Sequence, residues 1–279
     1  MKVLPFKIPK SQNEALIYQE DHELFFYDKL HQHVEIQISL IVNGEGTMII
    51  GDTVNEYQTN DIIIIGSNIP HVFKSDPNEN EMSHMVSLFF SKDSFGSDFF
   101  KLNHFESLQN FFDQSEYGFK VISKTDETKQ LFLKLKKASN LKRFMLFLEI
   151  LQLINESKTE VLSSFINRKN YSDNEGKRMS AVFEFTMNKF AEHISLQEIA
   201  DVASMTTNAF CRYFKQRTNK TYVQFLTEIR IDNASKLLRK NPDMGIAEIA
   251  QNSGFSNISN FNRKFKLLKK TSPLKYKSK

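Results

Sequence analysis

The run Leu196-Gln-Glu-Ile-Ala-Asp-Val-Ala-Ser-Met-Thr206 recurs in outline as Ile246-Ala-Glu-Ile-Ala-Gln-Asn-Ser-Gly-Phe-Ser256, 50 residues later. Each run is followed by the pattern Phe-x-Arg-x-Phe-Lys, first at 210–215 and again at 261–266. This second interval is 51 residues, so the second copy holds one extra residue near Asn257. Apolar residues recur at helical spacing in both copies. Each copy is therefore predicted to form a helix, a tight turn and a second helix.

Turn and cap residues agree with this prediction. Gly254 supplies a positive φ in the second turn without steric cost. Thr206 and Ser256 are predicted to cap the second helix of each copy. A linking helix between the copies is predicted to begin after the cap Thr221 and to end before Asn241-Pro242.

Two such helix pairs indicate DNA binding. A helix fits the major groove, and the second helix of the pair enters it N-terminus first. Two of these helices held about 34 Å apart would read adjacent segments of the groove. The charge agrees, because the chain from Glu175 onward carries 19 Lys and Arg against 9 Asp and Glu, while the rest is net acidic. That asymmetry is typical of a nucleic-acid-binding domain joined to a different domain.

The C-terminal part resembles the DNA-binding domain of the AraC/XylS family of bacterial transcription regulators. The resemblance covers about 177–277 and rests on the two Phe-x-Arg-x-Phe-Lys patterns, on Arg230-x-x-x-Ala-x-x-Leu-Leu238, and on Ser272-Pro-x-x-Tyr-Lys277. Asn219 and Lys270 stand where the family often has glycine. The resemblance implies an all-α domain at 177–279 whose partners are promoter double-stranded DNA and RNA polymerase.

The predicted DNA contacts lie off the apolar face of the two second helices. Base contact is predicted for Thr207, Asn208, Cys211, Arg212, Asn257, Ser259, Asn260, Asn262 and Arg263. Phosphate contact is predicted for the cations late in these helices and in the loops after them: Lys215, Arg217, Lys220, Lys266, Lys269 and Lys270. The resemblance places Cys211, Arg212, Asn262 and Arg263 at positions that often reach bases. In the alternative, the two arginines contact phosphate or pair with Glu198 or Glu248.

The N-terminal part, 1–92, alternates apolar and polar residues in short runs. Glu35-Ile-Gln-Ile-Ser-Leu-Ile-Val42 and Asp61-Ile-Ile-Ile-Ile65 are examples, with turn signals at Asn43-Gly44 and Gly51-Asp52. This pattern predicts a small antiparallel β-barrel or jelly roll. The fold class of the whole chain is therefore α+β.

Histidines mark a candidate pocket in this barrel. His31-x-His33-x-Glu35 is expected to face one side of a strand, and His71 follows Gly66-Ser-Asn-Ile-Pro. These residues look like the corresponding part of the cupin domain of AraC-type regulators, which implies an effector pocket for a small molecule such as a sugar or related metabolite. They also suit a divalent metal, but Gln37 stands about where the metal-binding cupin pattern has glutamate. We therefore expect no cofactor. The remaining alternative is that the histidines are hydrogen-bonded residues of the barrel mouth.

The spacing of apolar residues changes in the middle of the chain. Residues 93–160 are predicted to be helical, with the longest stretch from Thr125 to about Asn155 and a break at Ser139-Asn140. In AraC-type proteins such helices often pair two subunits, which implies a homodimer, and the alternative is that they only cover the barrel. Residues 161–176 are polar and turn-rich, and are predicted to be the linker between the domains.

Composition restricts the compartment and the chemistry. A single cysteine, Cys211, excludes an intrachain disulfide and a thiolate metal cluster, and fits a reducing compartment. The first residues lack the apolar core of a secretory signal, and no apolar run is long enough to span a bilayer. We expect a cytoplasmic protein with no membrane partner.

Three functions follow from these patterns. The first is a transcription regulator, an AraC-type activator and not an enzyme, whose barrel binds an effector that shifts the balance between two arrangements of the domains. The second is a metal-dependent cupin dioxygenase or isomerase that carries a DNA-binding domain. The third is an effector-independent regulator whose barrel is only a scaffold. The sequence holds no Gly-rich phosphate loop and no serine nucleophile elbow.

Overall fold

The chain divides into two compact units. A computed structural model describes residues 14–76, 82–164 and 173–278, and the units are Met1–Asp173 and Asn174–Lys279. The predicted linker at 161–176 lies partly outside the described residues. None of the helices in the described part of the chain has the length and apolar content that a membrane crossing requires.

The strands of the N-terminal unit form two antiparallel sheets. In chain order they are β1 (Ile17–Glu23), β2 (Ile36–Asn43), β3 (Gly46–Ile50), β4 (Thr53–Tyr57), β5 (Ile62–Ile65), β6 (His71–Ser75), β7 (Ser83–Phe90), β8 (Phe119–Val121) and β9 (Thr159–Val161). The larger sheet has the order β1-β7-β2-β5-β8-β9 and the smaller one β4-β3-β6. The predicted antiparallel strands are thus present as two sheets, and the closure of these sheets into a barrel stays a prediction.

The larger sheet is covered on both faces. Ile36, Ile38 and Leu40 of β2 belong to a buried cluster shared with the helices, rich in phenylalanine. Successive side chains of a strand point to opposite sides, so Gln37, Ser39 and Ile41 face the smaller sheet, where Ile41 joins a second cluster. Each fully buried large apolar side chain contributes about 1.5–3 kcal/mol.

Helices follow the strands in the N-terminal unit. They are α1 (Gln109–Ser115), α2 (Thr125–Leu135) and α3 (Asn140–Asn155), after short 3-10 helices at Phe99–Lys101 and Asn103–Leu108. Ser139 caps α3, since its side chain accepts a hydrogen bond from the Lys142 amide, so the predicted break at Ser139-Asn140 is confirmed. The segment 93–160 also supplies β8 and part of β9, which the prediction of helices alone did not include.

The C-terminal unit is all-α in its described residues. It comprises α4 (Asp173–Lys189), α5 (Leu196–Val202), α6 (Thr207–Thr218), α7 (Tyr222–Lys240), α8 (Ile246–Asn252), α9 (Ile258–Lys269) and α10 (Pro273–Lys277). α5 and α8 begin 50 residues apart, and α6 and α9 begin 51 residues apart, so the doubled helix pair and its extra residue are confirmed.

Each helix pair has its own core on the linking helix α7. In the first pair, the rings of Phe210 and Phe214 pack against Tyr222 near the start of α7, with centroids 5.6 and 5.5 Å from it. In the second pair, Phe261 and Phe265 belong to a buried cluster with residues of the later half of α7. Because the two cores pack on successive stretches of α7, this helix determines the distance and orientation between the two helix pairs.

The helix caps agree with the sequence except at one position. The side chain of Thr206 accepts a hydrogen bond from the Ala209 amide at the start of α6, and Thr221 forms a capping box with Gln224 at the start of α7. The N-cap of α9 is Asn257, whose side chain accepts from the Asn260 amide, so the prediction of Ser256 is wrong by one residue. The extra residue of the second copy lengthens the turn and moves the cap.

A buried tyrosine is expected to make the stability of the C-terminal unit decrease at alkaline pH. Burial raises the pKa of Tyr222 to about 12, whereas a tyrosine in the unfolded chain ionises near pH 10. The folded state holds this proton more tightly, so its contribution to stability is complete below about pH 10 and is lost as the pH rises toward 12.

We expect Tyr222→Phe to make the free energy of unfolding depend less on pH in the alkaline range. The variant should lose about 1 kcal/mol at neutral pH, because the hydroxyl no longer bonds Thr186 Oγ1 at 3.0 Å. It should then lose less stability than the wild type between about pH 9 and pH 11. Denaturant unfolding followed by far-ultraviolet circular dichroism measures both quantities. Equal alkaline losses in the two proteins would contradict the assignment to Tyr222.

Candidate nucleic-acid interface and buried histidine cluster

Matching polar stripes run along the exposed sides of α6 and α9. On α6 the stripe is Asn208, Cys211, Arg212 and Lys215, and on α9 it is Ser259, Asn262, Arg263 and Lys266; all eight residues are exposed. Members of a stripe stand at i, i+3, i+4 and i+7 and therefore share one face of the helix. The opposite faces carry the buried phenylalanines of the two cores. Both stripes begin with an uncharged polar residue and continue with a further uncharged residue. Both then end with an arginine followed by a lysine.

The two arginines of these stripes differ in their neighbours. Arg263 Nη2 donates to Asn260 Oδ1 at 2.9 Å, one turn earlier on α9. Arg212 has no hydrogen-bond or ion-pair partner among the residues described. Glu198 Oε2 accepts from the Ser195 amide in the capping box of α5. The alternative pairing of the arginines with Glu198 or Glu248 is therefore not observed in the described part of the chain.

The remaining predicted base contacts lie at the helix starts. Thr207 is half-buried and its hydroxyl donates to Gln197 Oε1 at 2.8 Å. Asn257 is exposed, but its side-chain oxygen is engaged in the cap of α9. Asn260 is exposed and accepts from Arg263. Direct contact of these three residues with bases stays a prediction.

The predicted phosphate contacts fall into two groups. Lys215, Lys266 and Lys270 are exposed and Lys269 is half-buried. Lys270 and its counterpart Asn219 adopt the left-handed conformation after α9 and α6, with φ of 57° and 55°. Lysine therefore adopts the conformation that usually favours glycine at this cap.

Two of the predicted cations are engaged within the protein. Arg217 pairs with Glu175, and its side chain is only 11% exposed. Lys220 pairs with Glu228 at 2.7 Å and its side chain is 12% exposed. Both ion pairs tie the first helix pair to its neighbours α4 and α7, so we leave Arg217 and Lys220 out of the proposed phosphate contacts.

Three histidines meet between the two sheets of the N-terminal unit. His31 and His71 exchange backbone hydrogen bonds of 3.0 and 2.8 Å, and their ring centroids are 4.3 Å apart. The His33 ring lies 4.9 Å from that of His71. The chain bends at Val34 and Glu35, and β2 begins only at Ile36. The prediction that His31, His33 and Glu35 lie along one strand is therefore wrong. The structure brings His31, His33 and His71 together, and their role in an effector pocket stays a prediction.

Backbone carbonyls fix the orientation of all three imidazoles. Nδ1 donates to the carbonyl oxygen of Lys29 in His31, of Glu35 in His33 and of Ile69 in His71, at 2.8–2.9 Å. A carbonyl only accepts, so each Nδ1 carries its proton, and in the neutral rings Nε2 carries the lone pair.

A buried polar chain continues from His33 into the larger sheet. His33 Nε2 lies 3.0 Å from Gln37 Oε1, the Gln37 amide contacts Ser39 Oγ at 2.7 Å, and Ser39 contacts Ser87 at 2.7 Å. Two acceptors cannot share a hydrogen, so either the Gln37 amide is reversed and donates to His33, or His33 carries two protons. In the sequence, Gln37 and Ser39 alternate with isoleucines and a leucine, and this alternation is the signal that could have revealed the buried series of polar contacts.

Two further polar residues stand among the histidines in the sequence: Glu35, which was predicted to line the pocket, and Gln32, which was not predicted. Gln32 is 1% exposed, and neither of its amide atoms has a hydrogen-bond partner among the residues that the structure describes. Glu35 Oε2 is also buried, 3.9 Å from His33 Nδ1, and accepts no hydrogen bond within the described part of the chain. A buried polar atom left unpaired costs about 1–3 kcal/mol, so these atoms are suited to a polar ligand.

The histidines also come close to the geometry of a metal site. One ring nitrogen from each of His31, His33 and His71 lies within 4.8 Å of the other two. A tetrahedral transition-metal site with bonds of about 2.0–2.1 Å holds its nitrogens about 3.4 Å apart. The rings would have to move closer together, and His33 would have to give up its contact with Gln37. The three imidazole nitrogens are suitable ligands for a transition metal, whereas the contact between Gln37 and His33 opposes the binding of a metal by His33.

Comparison with known proteins finds a family model and relatives that match part of this chain. Residues 199–279 match a family model described as "Helix-turn-helix domain". The chain is 32% identical over 100 residues to YdeC of Bacillus subtilis, an uncharacterized HTH-type transcriptional regulator, covering 36% of this chain and 34% of YdeC. It is 30% identical over 94 residues to the HTH-type transcriptional activator RhaS of an Enterobacter species, covering 34% of each. These matches support the predicted AraC-type domain, and the chain spans about a third of the length of these relatives.

Solved structures give weaker likenesses. The DNA-binding domain of AdpA in complex with a target DNA is 25% identical with a TM-score of 0.33, over 35% of this chain and 86% of that one. Wild-type ToxT from Vibrio cholerae, solved with an unsaturated fatty acid, is 15% identical with a TM-score of 0.37, over 96% and 97%. Likeness at this level fixes neither fold nor function.

Proposed function

We propose that this protein is a sequence-specific DNA-binding transcription regulator that reads promoter DNA with α6 and α9. The observation that carries the proposal is the pair of matching exposed stripes on these helices. An exposed arginine with an amide and a lysine beside it, repeated on two helices, is the chemistry of base and phosphate recognition in two major-groove segments. The match to the helix–turn–helix family model over 199–279 agrees with it.

Selection of bound sequences from a random duplex pool tests the proposal. We expect the full chain to enrich one bipartite sequence whose two halves lie about one helical turn apart. Binding with no preference over a generic polyanion would overturn it.

The exposed lysines of the two stripes should set the salt dependence. Lys215→Ala and Lys266→Ala should each lower the slope of log affinity against log salt concentration by about 0.9, because each removes one phosphate contact. Lys134→Ala is the control, since Lys134 is an exposed lysine of α2 in the other unit. Titrations of a fixed duplex at several salt concentrations give the slopes. A change in the Lys134 variant equal to those of the other two would show a general charge effect.

The same proposal assigns a small-molecule effector site to the space beside His31, His33, Glu35 and His71. Glu35 Oε2 supports it, because this buried atom has no hydrogen-bond partner among the described residues and a polar effector such as a sugar could satisfy it. A thermal-shift screen of metabolites should find a ligand that raises the melting temperature, and that ligand should change the affinity for the selected duplex. A ligand that binds without changing DNA affinity would leave the N-terminal unit a scaffold.

Activation and dimerisation complete the proposal. The relative RhaS is described as a transcriptional activator, which supports activation by this protein. Contact with RNA polymerase is part of the proposal, and in vitro transcription from the selected promoter tests both. Exposed apolar residues on α2 and α3 support a homodimer: Leu141 is 72% exposed, and Leu133 and Met145 are also exposed. Sedimentation of the wild type and of Leu141→Glu tests this contact, since a dimer through α3 should dissociate in the variant.

A metal-dependent activity of the N-terminal unit is the second candidate. The close approach of three imidazole nitrogens favours it, and the contact of His33 with Gln37 opposes it. Elemental analysis of the purified protein distinguishes the two functions, because a resident transition metal at about one per chain is required for the enzyme and not for the regulator.

A further inference from the structure

Arg230 connects the two helix pairs through the middle of α7. Its Nε donates to the Phe190 carbonyl and its Nη2 to the Glu192 carbonyl, each at 2.7 Å. These carbonyls follow the C-terminal end of α4, where a cation also complements the helix dipole. Arg230 Cζ lies 6.0 Å from the ring centroid of Phe255 in the turn between α8 and α9. One side chain therefore contacts the segment after α4 and the turn of the second pair.

Gly254 brings the backbone of the second turn against the same place. Its φ is +83°, and a Cβ added there would lie 2.6 Å from the Phe190 carbonyl oxygen and 2.7 Å from Arg230 Nε. Real Cβ atoms do not approach backbone so closely, so this contact requires glycine. The equivalent residue of the first turn, Ser204, also has a positive φ of 53° but carries a side chain. The glycine therefore reflects the packing of the second turn and not the turn conformation alone.

α4 itself belongs to the first core. The Phe183 ring lies 4.7 Å from that of Phe225 on α7, and Thr186 hydrogen-bonds Tyr222. The end of α4 is therefore held in a fixed position relative to the first helix pair. In the second core, the ring centroid of Phe255 lies 5.3 Å from that of Phe261. Contacts of Arg230 and Gly254 join the two pairs directly, in addition to the shared helix α7.

We infer that Arg230, seated against Gly254 and the end of α4, is a positioning residue that fixes the separation and phase of α6 and α9 and so makes the protein selective for the spacing between two DNA half-sites. The inference rests on the proposed DNA-binding function. A rigid pair of reading helices accepts one spacing, because one added base pair turns the second half-site by about 34°. A pair that is free to rotate accepts several spacings.

The DNA arm of the test uses the selected duplex with one base pair inserted between its halves. The wild-type chain should bind the longer duplex roughly tenfold more weakly, the scale of losing one base contact. Arg230→Met should bind the original duplex more weakly and lose much less on the insertion, so that the ratio of affinities moves toward one. A uniform loss on both duplexes that Arg230→Lys restores would mean that the charge contacts DNA, and would overturn the inference.

A DNA-independent arm separates this inference from the proposed function. Cys211 is exposed on α6 and is the single cysteine of the chain, so Ser259→Cys in the full chain gives one spin-label pair within each chain. Dilution with unlabelled protein removes the distances between the subunits of a dimer. We expect one narrow distance distribution in this background, and a broadened or shifted one on adding Arg230→Met or Gly254→Ala. Ser204→Ala is the matched control and should leave it unchanged, since residue 204 already carries a Cβ.

The outcomes of the two arms are distinguishable. An unchanged distance distribution in both Arg230→Met and Gly254→Ala would overturn the inference even if the protein binds DNA specifically. A wild-type chain without sequence preference would overturn the proposed function, and the distances would still decide whether Arg230 positions α9. Circular dichroism of each variant confirms that a broadened distribution comes from a folded unit.

Discussion

A Phe214→Ala variant should unfold with a free energy about 3–5 kcal/mol below that of the wild type. Phe214 is fully buried on α6. Its ring lies 5.5 Å from those of Tyr222 and Phe225 on α7, and 6.4 Å from that of Phe183 on α4. Alanine would leave a cavity where three helices meet, and the surrounding rings are held by the two other helices, so they cannot all move in to fill it.

The measurement is denaturant unfolding of the full chain followed by circular dichroism. The loss should appear in the transition of the helical C-terminal unit, since Phe214 belongs to that unit. Leu267→Ala on α9 is the control, because its side chain is 57% exposed and its loss should stay within about 0.5 kcal/mol. A loss below about 1 kcal/mol for Phe214→Ala would show that the first core repacks, and would remove the rigid support proposed for α6.

The C-terminal unit was predictable because its signals are local. Phe210 and Phe214, like Phe261 and Phe265, stand four residues apart in a helical pattern, and Thr206 and Thr221 are strong caps next to it. The one wrong cap, Ser256, stands beside Asn257, and both residue types cap well. The choice between them depends on how the longer second turn packs, which the local pattern does not contain.

Interactions between distant residues were not predictable in this way. Arg217 carries the same charge as the exposed lysines, and only the fold brings Glu175 to it, 42 positions away. The strands β8 and β9 have three residues each and are defined by pairing with β5 and with each other. The grouping of His31 with His71 followed from family resemblance rather than from spacing, because the contact depends on an antiparallel bridge across 40 residues.

Arg212→Ala and Arg263→Ala should each weaken binding to the selected duplex by about 1–3 kcal/mol and relax the preference at one base position. Both side chains are exposed at equivalent places on their helices, where a guanidinium can bind guanine O6 and N7 together. The two residues belong to helix pairs with separate cores, so the double variant should lose roughly the sum, about 2–6 kcal/mol. Titration of the selected duplex and of a random duplex at one fixed salt concentration measures these losses.

The random duplex distinguishes base contact from phosphate contact. Arg263→Lys keeps the positive charge and loses the planar fork, so it should bind the random duplex as the wild type does while losing affinity for the selected one. Lys266→Ala, one turn later on α9, should weaken both duplexes alike. Arg263 is already oriented by its bond to Asn260, whereas Arg212 has no such partner in the described residues and must be ordered on binding. For this reason we expect the larger loss at Arg263, and equal losses on both duplexes would assign it to the phosphate backbone.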